Sequence, residues 1–269
     1  MYHVESNFTY PKMYKVRQHL NSEKLADINK TVYDELDAIG IGEKIKKDSE
    51  IAVCAGSRGI NNIDKIVKAA VDYVKDHGGK PFIVPAMGSH GGATADGQIH
   101  VLEKYGISEE TMGCEIRSDM EPVYLGDAEN GAPVYFDKNA YGAAGIIVVN
   151  RVKPHTDFLA ENESGVVKMC AVGLGKEKGA TAMHGYNLGE TIPLSFKVSL
   201  KKAPYLAGLA IIENSMDETY MIKALKSEDF LEEEKKLLNI AKQQVPHFPV
   251  DQLDVLIVKE MGKMFGKNI

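Results

Sequence analysis

Two histidines, His155 and His184, bracket the segment HTDFLAENESGVVKMCAVGLGKEKGATAMH, and Lys168 lies between them among glycines. A third histidine, His90, stands far upstream in a second glycine-rich run, MGSHGGAT. Imidazole both titrates near neutral pH and binds transition metals. A lysine amine bonds covalently to a cofactor carbonyl once it is deprotonated. These residues are expected to converge on one site.

Convergence needs a scaffold. Ile51–Ala55 is a short apolar run, the mark of a buried strand. It enters GSRGINN, and the spacing of Ile63, Ile66, Val67, Ala70 and Val74 predicts a helix over 62–76, stopped by Gly78 and Gly79. A second strand follows at 80–86. Strand, helix and strand in that order make a βαβ unit and argue for a parallel sheet with helices on its faces. Helices are also predicted over 22–38, 95–105 and 228–244. A hairpin is expected within 115–137, where Gly126 and Asn130-Gly131 break β-like runs. Further strands are expected at 145–152, 166–172, 206–214 and 254–259, and residues 1–20 suggest an extended arm or edge strand. GLGKEKGA opens another helix. The fold class is therefore α/β, with a Rossmann-like parallel or mixed sheet and helices on both faces.

Each chemistry-bearing stretch follows a predicted strand. GSRG (56–59) sits at a strand's carboxyl end before a helix, where open α/β sheets bind ligands. Backbone N–H groups there favour an anion, and Arg58 could grip a carboxylate or phosphate in bidentate fashion. The plainer reading is a tight turn. In MGSHGGAT, Ser89, Gly91, Gly92 and Thr94 could wrap a phosphate, although no Gly-Lys-Ser/Thr follows to make a Walker A loop. In VKPHTDF, Pro154 stiffens the approach to His155 and Asp157 could orient its ring. On a strand, Lys168 must snorkel out, be paired, or have a depressed pKa. Cys170, two residues on, would share its face, either as a soft ligand or as packing. His155 and His184 make no HExxH or clustered zinc spacing.

Composition bounds the partners. The 269 residues are 44% hydrophobic and 26% charged, enough for a sizeable core. A net charge of −6 and a pI near 5.8 argue against nucleic acid or an anionic membrane. No apolar run approaches the roughly 18 residues that span a bilayer. Cys54, Cys114 and Cys170 are odd in number and widely spaced, which suits reduced thiols in a cytoplasm.

Taken in order, SRGI, MGSHGGAT, NRVKPHTDF, ESGVVKM and GLGKEKGA…H resemble the nickel-dependent lactate racemase family and its paralogs. The resemblance runs from about residue 50 onward. It implies a first Rossmann-like domain over 1–248, with Pro246 and Pro249 at its boundary, and the start of a second α/β domain at 249–269. It also implies a cofactor, the nickel-pincer nucleotide (pyridinium-3-thioamide-5-thiocarboxylate mononucleotide), which holds Ni through two sulfurs and a ring carbon. By motif, Lys168 resembles the tethering lysine and His184 the nickel ligand. His90 and His155 resemble the acid/base pair, and Arg58 a substrate-orienting residue. Ser89, Gly91, Gly92 and Thr94 become candidates for the cofactor phosphate. The implied activity is isomerisation, the racemisation or epimerisation of a small 2-hydroxy acid by hydride transfer, with the cofactor-synthesis enzymes as partners. The chain alone is expected to be inactive. Two departures surround the substrate. Lactate racemases carry an acidic residue where Ala55 stands, and the segment between His155 and Lys168 is longer here, so the resemblance implies a 2-hydroxy acid without singling out lactate. Two other readings fit the same residues: a non-catalytic nucleotide- or anion-binding module, and a metal-dependent hydrolase with His90, His155 and His184 on one ion.

Overall fold

A computed structural model describes residues 12–57 and 59–259. Helix α1 (Ile28–Ala38) starts where the Asp27 carboxylate accepts the Lys30 amide, and the chain turns off through Gly40. The predicted 22–38 helix is therefore shorter at its start. Strand β1 (Glu50–Ala55) is buried after its first residue. Helix α2 (Ile63–Asp76) buries the whole predicted face, and β2 (Lys80–Pro85) returns parallel to β1. Helix α3 (Ala95–Glu103) and the short α4 (Glu109–Met112) follow. The hairpin is β3 (Pro122–Asp127) with β4 (Pro133–Asp137), antiparallel and irregular at Gly126. After α5 (Lys138–Gly142) comes β5 (Gly145–Arg151). Next are α6 (Val166–Lys168), a π-helical turn at Met169–Gly173, α7 (Lys176–Met183) and α8 (Leu188–Leu200). Strands β6 (Tyr205–Glu213) and β7 (Thr219–Lys226) pair antiparallel, and α9 (Phe230–Gln244) closes the fold.

The main sheet runs β2-β1-β5-β6-β7, parallel except for β7. Its strands alternate between two cores, as a pleat buried on both sides requires. Val53, Ile83, Val149 and Leu209 face α1 and α2; Cys54, Val84, Val148 and Ala210 face Val167, Phe196 and Phe230 of the later helices. The α/β class with helices on both faces is thus the observed architecture. Among the described residues, no helix is long and apolar enough to cross a membrane.

Three expectations fail. Residues 166–172 are helical, not a strand. The local Val-Val pair favours β structure, but a remote carboxylate (Glu234, below) supplies the acceptor that a helix start requires, and tertiary context overrides propensity. Lys168 and Cys170 consequently do not share a face, because positions i and i+2 diverge on a helix. Cys170 is buried packing, and that burial pushes its thiol pKa up. Residues 254–259 carry no strand. Their apolar side chains are exposed, Val255 and Ile257 above all, and a strand without a partner leaves its backbone groups unpaired. Residues 12–20 carry no strand, which drops the edge-strand alternative but not the arm; residues 1–11 of that stretch lie outside the described residues. Four elements go beyond the sequence expectations: β7, α8 with Pro193 inside it, and the short helices α4 and α5.

Candidate functional site

In this sheet the chain leaves β1 toward β2 on one side and returns to β5 on the other. The strand order reverses between β1 and β5, and ligands of open α/β sheets lie in the crevice outside the carboxyl ends at such a point. The loops there are those after β1, β2 and β5.

The β1 loop is held at both ends. The Ser57 hydroxyl bonds Nδ1 of His90, and Tyr105 donates to the Ser57 carbonyl at 3.0 Å. Farther on, the Asn61 amide donates to Glu213 at 2.7 Å, and Glu213 pairs with Arg151, which anchors the loop to the ends of β5 and β6. Arg58 lies outside the described residues.

In the β2 loop, Ser89, His90, Gly92 and Thr94 are exposed. Thr94 has a structural task, since its hydroxyl oxygen accepts the Gly97 amide and caps α3. Gly91 packs on the same turn, where a Cβ would meet the Gly97 carbonyl carbon at 2.6 Å. From inside, Gln98 donates to the Gly88 and His90 carbonyls, while its own oxygen accepts from Lys176 at 3.0 Å. Lys176 is fully buried. It also donates to the Pro85 carbonyl at 2.9 Å and stands 3.0 Å from the Asp137 carboxylate. A buried ion pair therefore fixes the backbone that carries His90. Sequence reasoning places Lys176 in a polar helix start, and an ordinary-looking lysine in KEKG carries no signal of burial.

The β5 loop is closed at its base by mutual backbone bonds between Lys153 and Ser164. Buried Glu163 accepts the His155 amide at 2.6 Å and the Lys242 ammonium at 2.8 Å. The Asp157 backbone N–H donates to Nδ1 of His155 at 3.1 Å, so Asp157 orients the ring through its amide rather than its carboxylate. The neutral ring then carries its proton on Nε2. His155 stacks on Phe158, with centroids 4.1 Å apart at 27°, and Lys168 Nζ lies 5.8 Å from the Phe158 centroid. Burial, then the Lys168 charge, pushes the His155 pKa down to about 4. His155 is thus neutral at physiological pH.

Lys168 is set by the fold's far end. Glu234 of α9, fully buried, accepts the Val167 amide at 3.0 Å and so caps the helix carrying Lys168. Gly165 makes room, because a Cβ there would stand 2.2 Å from Glu234 Oε2. Burial raises the Glu234 carboxyl to about 7. Its folded pKa exceeds its ordinary value, so its stabilising contribution is complete below about pH 4.5 and is lost as pH rises through 7. That loss is about 3 kcal/mol. Urea unfolding at pH 5 and pH 8 should show wild type losing stability relative to Glu234→Gln over this interval; a constant difference would contradict the assignment.

His184 caps the end of α7 and is exposed. Its Nδ1 lies 2.6 Å from the Ala180 carbonyl, so Nδ1 carries the proton and the Nε2 lone pair is the ligating one. The segment after it returns to the β5 loop: a Cβ on Gly189 would stand 3.6 Å from Phe158. The structure thus groups His155 with Lys168, and His90 with Ser57. Among the described residues, no three His, Cys, Asp or Glu side chains are placed to hold one metal ion, so the three-histidine hydrolase arrangement is not formed.

No protein-family model matches the chain, and no curated protein matches it in sequence. Among solved structures it is similar to the lactate racemase apoprotein from Thermoanaerobacterium thermosaccharolyticum, at a TM-score of 0.59 and 15% identity. The match covers 83% of this chain and 58% of that one. At this identity the likeness establishes the shared α/β fold.

Proposed function

We propose that this chain is the first domain of a racemase or epimerase of a small 2-hydroxy acid that works through the nickel-pincer nucleotide. The observation that carries this reading is the grouping of His155, Phe158 and Lys168 at the sheet's switch point. A binding module for nucleotides or anions needs no imidazole held neutral against a lysine. The likeness to the lactate racemase apoprotein supports the same reading at the level of the fold.

The residues fit such a group. Lys168 offers a half-buried amine for the tether. His184 offers one imidazole with its tautomer set for ligation, and an imidazole nitrogen is a donor that nickel would take. When bound, the group supplies a reversible hydride acceptor. The chain's own task is then the hydroxyl proton, which leaves as C2 is oxidised and returns as C2 is reduced. In its resting tautomer His155 presents an Nε2–H donor. His90 can give its Nδ1 proton to the Ser57 oxygen, which leaves Nε2 as the acceptor. The hydroxyl proton would pass to Nε2 of His90 as C2 is oxidised and return from that imidazolium as C2 is reduced. His155 would take the same part for the other enantiomer once the Asp157 amide releases Nδ1 and Nε2 becomes the unprotonated nitrogen. Arg58 would orient the substrate carboxylate. Ser89 and Gly92 remain exposed for the phosphate, whereas Gly91 and Thr94 are already engaged with α3. The reduced thiols and the absence of nucleic-acid or membrane partners belong to the same proposal of a cytoplasmic enzyme.

The test is metal content. Protein co-produced with the cofactor-synthesis enzymes should contain nickel, and His184→Ala should lose more than about tenfold of it while remaining folded. Nickel retained in the variant would remove His184 from the site. No nickel in the wild-type protein would favour the binding-module reading.

A further inference from the structure

We infer that Phe158 is a positioning residue that couples His155 to Lys168, so that the charge at the Lys168 amine sets the protonation state of His155. The inference rests on the acid/base and tethering roles given above to these two residues. The Phe158 ring stacks on the imidazole at 4.1 Å, and the Lys168 ammonium lies 5.8 Å from the centroid of the same ring. Two groups that can each carry positive charge are thereby held beside one apolar ring, and a like charge so placed disfavours a second one.

Other charges meet His155 as well. Asp157 and Glu163 in its own loop favour the charged ring, while Lys153 opposes it. From α9, Lys242 engages Glu163 and offsets that carboxylate. The Glu163 carboxylate is therefore partly neutralised, whereas Lys168 acts from a separate helix beside the same Phe158 ring. Depression of the His155 pKa by burial and by Lys168 agrees with this geometry.

The coupling has a functional consequence. A lysine nitrogen joined in a thioamide is uncharged. An empty protein therefore holds His155 as a weak base, and occupation of Lys168 makes it a stronger one. The acid/base residue would reach working strength only in a loaded site.

The test uses the cofactor-free chain and NMR titration of the His155 ring. Lys168→Gln should raise its titration midpoint by about 1 pH unit, and Lys168→Arg should leave it near the wild-type value. Phe158→Leu should raise the midpoint and shrink the shift that Lys168→Gln produces. A Lys168→Gln midpoint equal to wild type overturns the coupling. Equal shifts for the Gln and Arg substitutions also overturn it, since they would mean packing rather than charge. These readouts need no cofactor, so a confirmed shift in a protein that never acquires nickel would leave the coupling standing and defeat only the racemase reading.

Discussion

Asp137→Ala is expected to cost about 3–5 kcal/mol of folding free energy, the range for removing one partner of a buried ion pair. Asp137 and Lys176 are both fully buried, 3.0 Å apart. Without the carboxylate, the ammonium keeps only neutral acceptors, the Pro85 carbonyl and the Gln98 oxygen. The Asp137 carboxylate also accepts the Ala140 amide and caps α5 at 2.9 Å, so a helix start fails in the same variant. Urea unfolding measures the loss. Removing both charges, in Asp137→Ala with Lys176→Met, should recover part of it, because no uncompensated charge stays inside. A loss below about 1 kcal/mol for Asp137→Ala would show that water reaches the pair. The damage should spread to the β2 loop, since Lys176 holds Gln98 and Gln98 holds the Gly88 and His90 carbonyls.

That chain of contacts marks the limit of what the sequence makes legible. Strands β1, β2, β5 and β6 announce themselves because parallel strands buried on both faces are continuous apolar runs. α2 announces itself through the spacing of Ile63, Ile66, Val67, Ala70 and Val74, all buried. The loops carrying His90 and His155 follow from strand ends. Helix α6 reads as a strand because Val166-Val167 favours one, and the carboxylate that caps it comes from Glu234, remote in sequence and hidden in a charged helix pattern. Glu163 and Lys176 escape sequence reasoning for a related reason. A charged residue looks solvated until the partner that justifies its burial is known, and for these two the partners are Lys242 and Asp137. The 254–259 run shows the converse, an apolar segment that makes no strand without a neighbouring ladder.

Lys168→Ala is expected to abolish covalent loading while leaving the fold intact. Lys168 is half-buried, and its helix is held by Glu234 and by the packing of Val166 and Val167 rather than by the lysine. The stability change should stay below about 1 kcal/mol, as for other partly exposed side chains. The chemical change should be complete, because a tether needs a nucleophilic amine and alanine has none. Lys168→Arg separates charge from chemistry: guanidinium keeps the positive charge beside Phe158 but stays protonated and does not attack a carbonyl. Both variants should therefore fold, and neither should carry the adduct in intact-mass spectra of protein co-produced with the cofactor-synthesis enzymes. An adduct that persists in Lys168→Ala would mean attachment elsewhere.

The central claim is that this α/β domain presents Lys168 as the tether of a nickel-bearing nucleotide. It is tested most directly by proteolysis of the co-produced wild-type protein and tandem mass spectrometry of its lysine-containing peptides. The account predicts one modified peptide, with the added mass on Nζ of Lys168. The mass on another lysine, or an unmodified Lys168 in protein that contains nickel, would contradict it.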